Sequence, residues 1–143
     1  MEINDDIINK LKLGAEEAFK KNEIPVSCVI IDSKGNIVST GINDRQSRGN
    51  VLGHAEINAI LEAEEKIKDW RLDGYSMIVS LEPCDMCNAI INESRLDKVY
   101  YFLPKKIKDI NTTNTINKEE IKGFQEDKEF FLKLLTTFFD NKR

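Results

Sequence analysis

The chain has one histidine and three cysteines, and three of these four side chains fall into two short segments. His54 stands in His54-Ala55-Glu56, and two cysteines stand in Pro83-Cys84-Asp85-Met86-Cys87. Both segments sit where the surrounding pattern starts a helix. Cys84 and Cys87 are spaced so that their sulfurs share one helical face, and the positive end of the helix dipole favours thiolates there. One imidazole and two thiolates make three ligands for a zinc ion. They leave a fourth position open to water, unlike a closed structural site. A fold that uses them together must bring two separate helix N-termini to one point.

The hydrophobic pattern supplies such a fold. Ile8, Leu11, Ala15, Ala18 and Phe19 recur at helical spacing, which predicts a helix over residues 5–21. Val26–Ile31 is a β-branched apolar run, hence a buried strand. Asp32-Ser33-Lys34-Gly35-Asn36 is turn chemistry, and Ile37–Thr40 completes a hairpin. Residues 43–53 are polar and predict a loop. His54 then opens a helix with Ile57, Ile60 and Leu61 inward. A strand follows with Met77, Val79 and Leu81 alternating. The next helix begins at Pro83 and turns Ile90 and Ile91 inward. Val99–Phe102 is a fourth strand. Asn111–Thr115 lies in an aperiodic loop, and a short strand is expected near Ile121–Phe124. The last helix carries two stripes, Phe130–Leu134–Phe138 and Phe131–Leu135–Phe139, read as core. Helices alternating with strands imply an α/β fold, a sheet covered on both faces in three layers.

With 143 residues the whole of 1–143 is expected to be one domain. A hydrophobic fraction of 41% and a charged fraction of 32% exclude wholesale disorder. No apolar run approaches the ~20 residues of a membrane span, and Met1–Asp6 lacks the basic head of a secretory signal. A cytoplasmic protein with no membrane association is the expectation. An odd, low cysteine count is a poor disulfide framework, and Cys28, inside the first strand, is read as packing. The net charge of −4 argues against a protein coated with positive charge. Residues 104–143 carry nine basic and seven acidic side chains, so attraction for phosphate should fall towards that end.

Glu56 gives the ligand set a chemistry. A carboxylate beside metal-activated water can take its proton and pass it to a substrate nitrogen. The combination of His-x-Glu with Pro-Cys-x-x-Cys resembles the zinc-dependent nucleobase deaminases. Further residues extend the resemblance: Gly41-Ile42-Asn43 upstream of His54, Trp70-Arg71-Leu72 before the third strand, Leu81-Glu82 ahead of Pro83, Ser94-Arg95, and the terminal Leu134-Leu135-Thr136-Thr137-Phe138-Phe139. Together they are similar to the bacterial tRNA adenosine deaminases, over nearly the whole chain. The resemblance implies a cytidine-deaminase-like fold with a central mixed five-stranded sheet. It implies one Zn2+ per subunit on His54, Cys84 and Cys87, and Glu56 as the catalytic proton shuttle. Asn43 would hydrogen-bond the flipped purine, and Pro83, grouped with it at the substrate-binding position, would shape the turn that presents Cys84. It also implies a homodimer that edits a wobble adenosine in a tRNA anticodon stem-loop to inosine. The chain departs from the family in Ser27-Cys28, in Asn88-Ala89 after the second cysteine, in Val51-Leu52-Gly53, and in a shortened segment after Phe102.

Other readings stay open on sequence alone. Cys84 and Cys87 could form a redox pair, and the shortened segment with the acidic balance favours a deaminase of a free base or nucleoside such as guanine or cytosine. A zinc-stabilised interaction module is a third, against which the intact Glu56 argues. Trp70 is read as packing between helix and strand. Lys105, Lys106, Lys108, Lys142 and Arg143 are read as solvated surface, with phosphate contact the sharper alternative.

Overall fold

All five residues of β1, Ser27–Ile31, are buried, and the other strands are arranged around this apolar ribbon. The computed structural model describes residues 2–106 and 116–141. β1 lies between β2 (Ile37–Ile42) and β3 (Ser76–Leu81), antiparallel to both. β4 (Lys98–Leu103) runs parallel to β3, and β5 (Lys118–Glu120) parallel to β4. The sheet order is β2-β1-β3-β4-β5, a mixed five-stranded sheet as expected. The hairpin between β1 and β2 closes on Asp32, whose Oδ1 accepts from the backbone N–H groups of Lys34 and Asn36, both at 2.9 Å.

Strand alternation sends side chains to two separate cores. On one face Val29, Ile31, Ile78 and Phe102 pack against Ile7, Leu11 and Ala15 of α1 (Asp5–Lys20) and Phe131 of α5 (Gln125–Asp140). On the other, Cys28, Ile30, Met77 and Val79 meet Ala59, Ile60 and Ala63 of α3 (Ala55–Ile67) and Ile91 of α4 (Asp85–Ser94). This is the three-layer α/β/α architecture. Cys28 is 1% exposed, in keeping with a packing role.

Gly41 sets how closely α3 can lie on the sheet. A Cβ added there would stand 2.1 Å from the Ala55 carbonyl oxygen and 2.6 Å from the Ala59 nitrogen. Both are backbone atoms and neither can swing aside. Gly41→Ala is expected to lower stability by about 3 kcal/mol, the upper end of overpacking costs. A urea unfolding midpoint checks it, and a midpoint unchanged from wild type would refute this contact. Because α3 begins with Ala55, the same substitution displaces the start of the helix beside His54.

Six expectations are corrected. The fifth strand lies at Lys118–Glu120 rather than 121–124. Its charged residues form a sheet edge that no apolar pattern marks, whereas Ile121 is buried in the core and Gly123 and Phe124 turn the chain with φ of 81° and 54°. Residues 43–53 hold a single helical turn, α2 (Arg45–Arg48). The helix expected from Pro83 starts at Asp85, with Cys84 in the cap position. Of the last helix, Phe131, Leu135 and Phe138 are buried while Phe139 is 52% exposed, so one stripe at i, i+4, i+7 forms the core instead of two. Trp70 and Leu61, read as inward, are 51% and 53% exposed. The guanidinium groups of Arg71 and Arg95 lie over the Trp70 ring, 5.6 and 5.1 Å from its centre. The Asn111–Thr115 loop, Lys108, Lys142 and Arg143 lie outside the described residues.

Candidate metal centre and substrate cleft

The two motifs meet. His54 is the residue before α3, extended at φ −99° and ψ 147°, and Cys84 is the residue before α4, at φ −76° and ψ 173°. Extended backbone at a cap position turns the side chain across the helix end. His54 Nδ1 lies 3.9 Å from Cys84 Sγ and 3.5 Å from Cys87 Sγ. All three donor atoms fall within 4.8 Å of one another. Ligands about 2.0–2.3 Å from one zinc ion at tetrahedral angles stand roughly 3.5–3.8 Å apart, so the trio fits that ion. Two soft thiolates and an imidazole are also a donor set that selects zinc over the hard cations.

The electrostatics favour a metal. Cys84 is held as a thiolate, its pKa lowered to about 3 by the hydrogen bond from the Cys87 thiol and then by His54. Cys87 is pushed up because it donates that bond and because it is buried. The bond to Cys84 also raises His54. A cation among these groups replaces the proton that Cys87 shares with Cys84.

Glu56 sits in the first turn of α3 and is 4% exposed. Burial pushes its carboxyl up to about 7, with Cys84 adding to the rise and a hydrogen bond from Cys87 acting against it. The carboxylate is therefore in contact with the ligand group and shielded from bulk water. Asn43, at the end of β2, accepts a hydrogen bond at Oδ1 from the Ala55 N–H, 2.8 Å away. Since that N–H must donate, the oxygen end of the amide faces α3 and the NH2 end remains a donor. Pro83 is buried before Cys84. Its carbonyl accepts from Lys105 Nζ at 3.0 Å, while Glu82 takes the Lys105 N–H at 3.1 Å and the Lys118 ammonium at 2.7 Å. The turn that presents Cys84 is thus braced from both ends of the β4–β5 connection.

A cleft of about 660 Å³ opens beside the metal group, lined among others by Glu23, Asn43, Arg45, His54, Phe138 and Phe139. That volume suits a nucleobase with room for its sugar. The C-terminal end of α5 is therefore a wall of the cleft, which explains why Phe139 is exposed. Of the residues expected from sequence, His54, Cys84 and Cys87 come together with Glu56 against them, Pro83 precedes Cys84, and Asn43 lies in the cleft wall. Sequence reasoning did not single out Glu23 or Lys118, and Lys105, read as solvated surface, is largely covered, its ammonium on the Pro83 carbonyl; all three act through contacts between distant segments and carry no local spacing signal.

Residues 1–103 match the family model described as the cytidine and deoxycytidylate deaminase zinc-binding region. The tRNA-specific adenosine deaminase of Rickettsia bellii is 47% identical over 88 residues, 61% of this chain and 61% of that protein. That of Streptococcus pyogenes serotype M18 is 39% identical over 87 residues, 61% of this chain and 54% of its own length. The matched region thus spans about three-fifths of these relatives or less. Among solved structures, one from studies of A-to-I editing by tRNA:A34 deaminases superposes with a TM-score of 0.80 at 23% identity, covering 92% of this chain and 100% of that chain. A guanine deaminase from Nitrosomonas europaea superposes with a TM-score of 0.79 at 14% identity, covering 96% of this chain and 85% of that chain. Both have the same fold. Among the described residues no helix is long and apolar enough to cross a membrane.

Proposed function

The chain belongs to the zinc-binding cytidine and deoxycytidylate deaminase family, and from that premise we propose that it converts adenosine to inosine at the wobble position of a tRNA anticodon. The observation that carries the chemistry is the buried Glu56 carboxylate against the His54–Cys84–Cys87 group at the side of an open cleft. The identity to tRNA-specific adenosine deaminases supports the choice of substrate.

His54, Cys84 and Cys87 would hold a zinc ion, which would supply the Lewis acidity that makes water more acidic. Glu56 accepts a proton from the attacking water and delivers it to the purine ring nitrogen as the water oxygen bonds to the carbon bearing the amino group. It then carries the remaining proton of that water from the new hydroxyl to the amino nitrogen. The carbon–nitrogen bond breaks and ammonia leaves, so water has replaced the amine with no redox partner. The Asn43 NH2 donates to an acceptor on the base, and Phe138 and Phe139 give the flipped base an apolar wall. Pro83 fixes the backbone ahead of Cys84 on the substrate side. The enzyme works in the cytoplasm as a homodimer. The exposed Val51, Leu52, Leu61 and Trp70 supply apolar surface for a second copy.

The deciding experiment offers zinc-loaded protein an anticodon stem-loop with a wobble adenosine and reads inosine by mass spectrometry, with free guanine, cytosine, cytidine and adenosine in parallel. Inosine in the stem-loop alone is the expected result. Turnover of a free base with an untouched stem-loop would replace this reading with a free-base deaminase. The net charge of −4 is the observation in favour of that second reading.

Asn43→Asp isolates the donor. It keeps an oxygen for the Ala55 N–H and removes the NH2. It should cut kcat/KM by about 10–100-fold, the cost of leaving one polar group of the bound base unpaired, with zinc content unchanged. Wild-type kcat/KM would remove Asn43 from substrate binding.

A further inference from the structure

Glu23 is a carboxylate that the reaction does not use, yet it is 2% exposed and lies in the cleft wall. It follows Asn22, whose left-handed φ of 62° turns the chain off the end of α1. From there its side chain crosses to the opposite wall. One oxygen accepts the Gln46 N–H at 3.0 Å and the other accepts the Ser47 N–H at 2.6 Å. These are N–H groups at the start of α2, which a helix cannot satisfy for itself. Asp44 holds the ordinary cap position but its side chain caps no backbone N–H of α2 among the described residues. Its carboxylate is committed to Arg48 at 2.8 Å and Asn58 at 2.9 Å. Glu23 thus acts as the cap of α2 from a distant part of the chain.

The two segments joined this way are the two sides of the cleft. Lys21, Glu23 and Ile24 form one, and Asn43, Arg45 and Ser47 belong to the other. The second side is a closed ring of backbone bonds, Asp44 N–H to the Gly53 carbonyl at 2.9 Å and Asn50 N–H to the Arg45 carbonyl at 3.1 Å, so it moves as a unit. Its two ends are Asn43 and His54. Burying a carboxylate costs several kcal/mol unless it is fully hydrogen-bonded. Burial alone would raise the Glu23 pKa, but the N–H groups of Gln46 and Ser47 more than offset it and leave the group below the ordinary value. A local Ser or Asn cap would satisfy α2 more cheaply. What only Glu23 provides is a fixed distance between the walls.

We propose that Glu23 is a positioning residue that sets the width of the substrate cleft by clamping the α2 turn to the end of α1. The proposal rests on the cleft being the site of deamination. Its consequence is a binding effect: loosening the clamp lets the α2 turn and Arg45 drift from the bound base while the metal group, held by α3 and α4, stays in place.

The test compares wild type with Glu23→Ala and Glu23→Gln by steady-state kinetics, metal content and amide hydrogen exchange. Gln keeps one acceptor oxygen and serves as the conservative rescue. The KM is read on whichever member of the substrate panel wild type turns over. Glu23→Ala should raise KM about tenfold or more with kcat within about threefold. Zinc content should stay at the wild-type level, and exchange at Gln46 and Ser47 should accelerate at least about tenfold. Glu23→Gln should fall between. Unchanged exchange at these two amides overturns the clamp even if no substrate is found, which separates its failure from that of the proposed function. Accelerated exchange with unchanged KM overturns the role in substrate positioning. Loss of zinc with a matching fall in kcat makes Glu23 merely structural and also overturns it.

Discussion

Glu56→Gln is expected to reduce turnover by at least about a thousandfold while the protein still binds zinc. The substitution preserves shape and hydrogen-bonding reach, and it removes only the capacity to carry a proton. One positioned acid or base contributes typically 10²–10⁴ in rate, and here the same carboxyl handles both transfers. A thousandfold loss corresponds to about 4 kcal/mol of transition-state stabilisation. The metal should remain, because the group that fits it is His54, Cys84 and Cys87, with Glu56 beside that group. Single-turnover assays with metal analysis on the same sample check both halves. Retention of more than about a tenth of wild-type activity would sink the mechanism, and loss of metal would make Glu56 a ligand. Stability should move the other way. Burial raises the Glu56 carboxyl from 4.5 to about 7, so in metal-free protein the charged form is penalised as pH rises through that window. The Gln variant should therefore melt higher than wild type near pH 7 in the metal-free state and lose that advantage below pH 4.5. A group kept at a cost to stability is what a functional site looks like.

Different kinds of signal explain what could be read in the chain beforehand. β1 was legible because it is buried on both faces, so its residues had to be continuously apolar. The metal group was legible because Cys84 and Cys87 stand one helical turn apart and Glu56 stands two residues after the chain's one histidine, and spacing is a property of sequence. Other features depended on which segments become neighbours. β5 is a charged edge strand with no apolar face to announce it. Phe139 has the composition of a core residue, but α5 runs past the sheet and leaves it lining the cleft. Trp70 looks like packing until the structure places Arg71 and Arg95 against its ring. Glu23 and Lys105 are ordinary charged residues whose meaning lies in backbone groups more than twenty residues away. Chemistry held within one helical turn can be read locally, while the bracing around it needs the tertiary fold.

Cys87→Ser should leave a folded protein that has lost its metal. Serine is nearly the same size, but its hydroxyl stays protonated at neutral pH and is a poor zinc donor, so the ligand set falls from three to two. Removing a hydrogen-bond partner outside the ligand shell of a zinc site already costs about 10–100-fold in affinity, and losing a thiolate should cost more than a hundredfold. The fold should survive, because both core clusters are built mainly from the sheet and its covering helices. The new buried hydroxyl should cost only about 1–3 kcal/mol. Wild-type affinity should also depend on pH. Cys84 is already a thiolate in metal-free protein, whereas Cys87 keeps its proton through burial and its bond to Cys84. Zinc uptake must expel that proton and, where the raised His54 is still protonated, the imidazole proton as well, so affinity should fall at least about tenfold for each pH unit of acidification. Competition against a chromophoric chelator at pH 6, 7 and 8 reads the affinity, and circular dichroism reads the fold. A folded Cys87→Ser protein with wild-type zinc affinity would exclude Cys87 from the ligand set. A pH-independent wild-type affinity would mean that the metal-free site already holds both sulfurs as thiolates and His54 neutral.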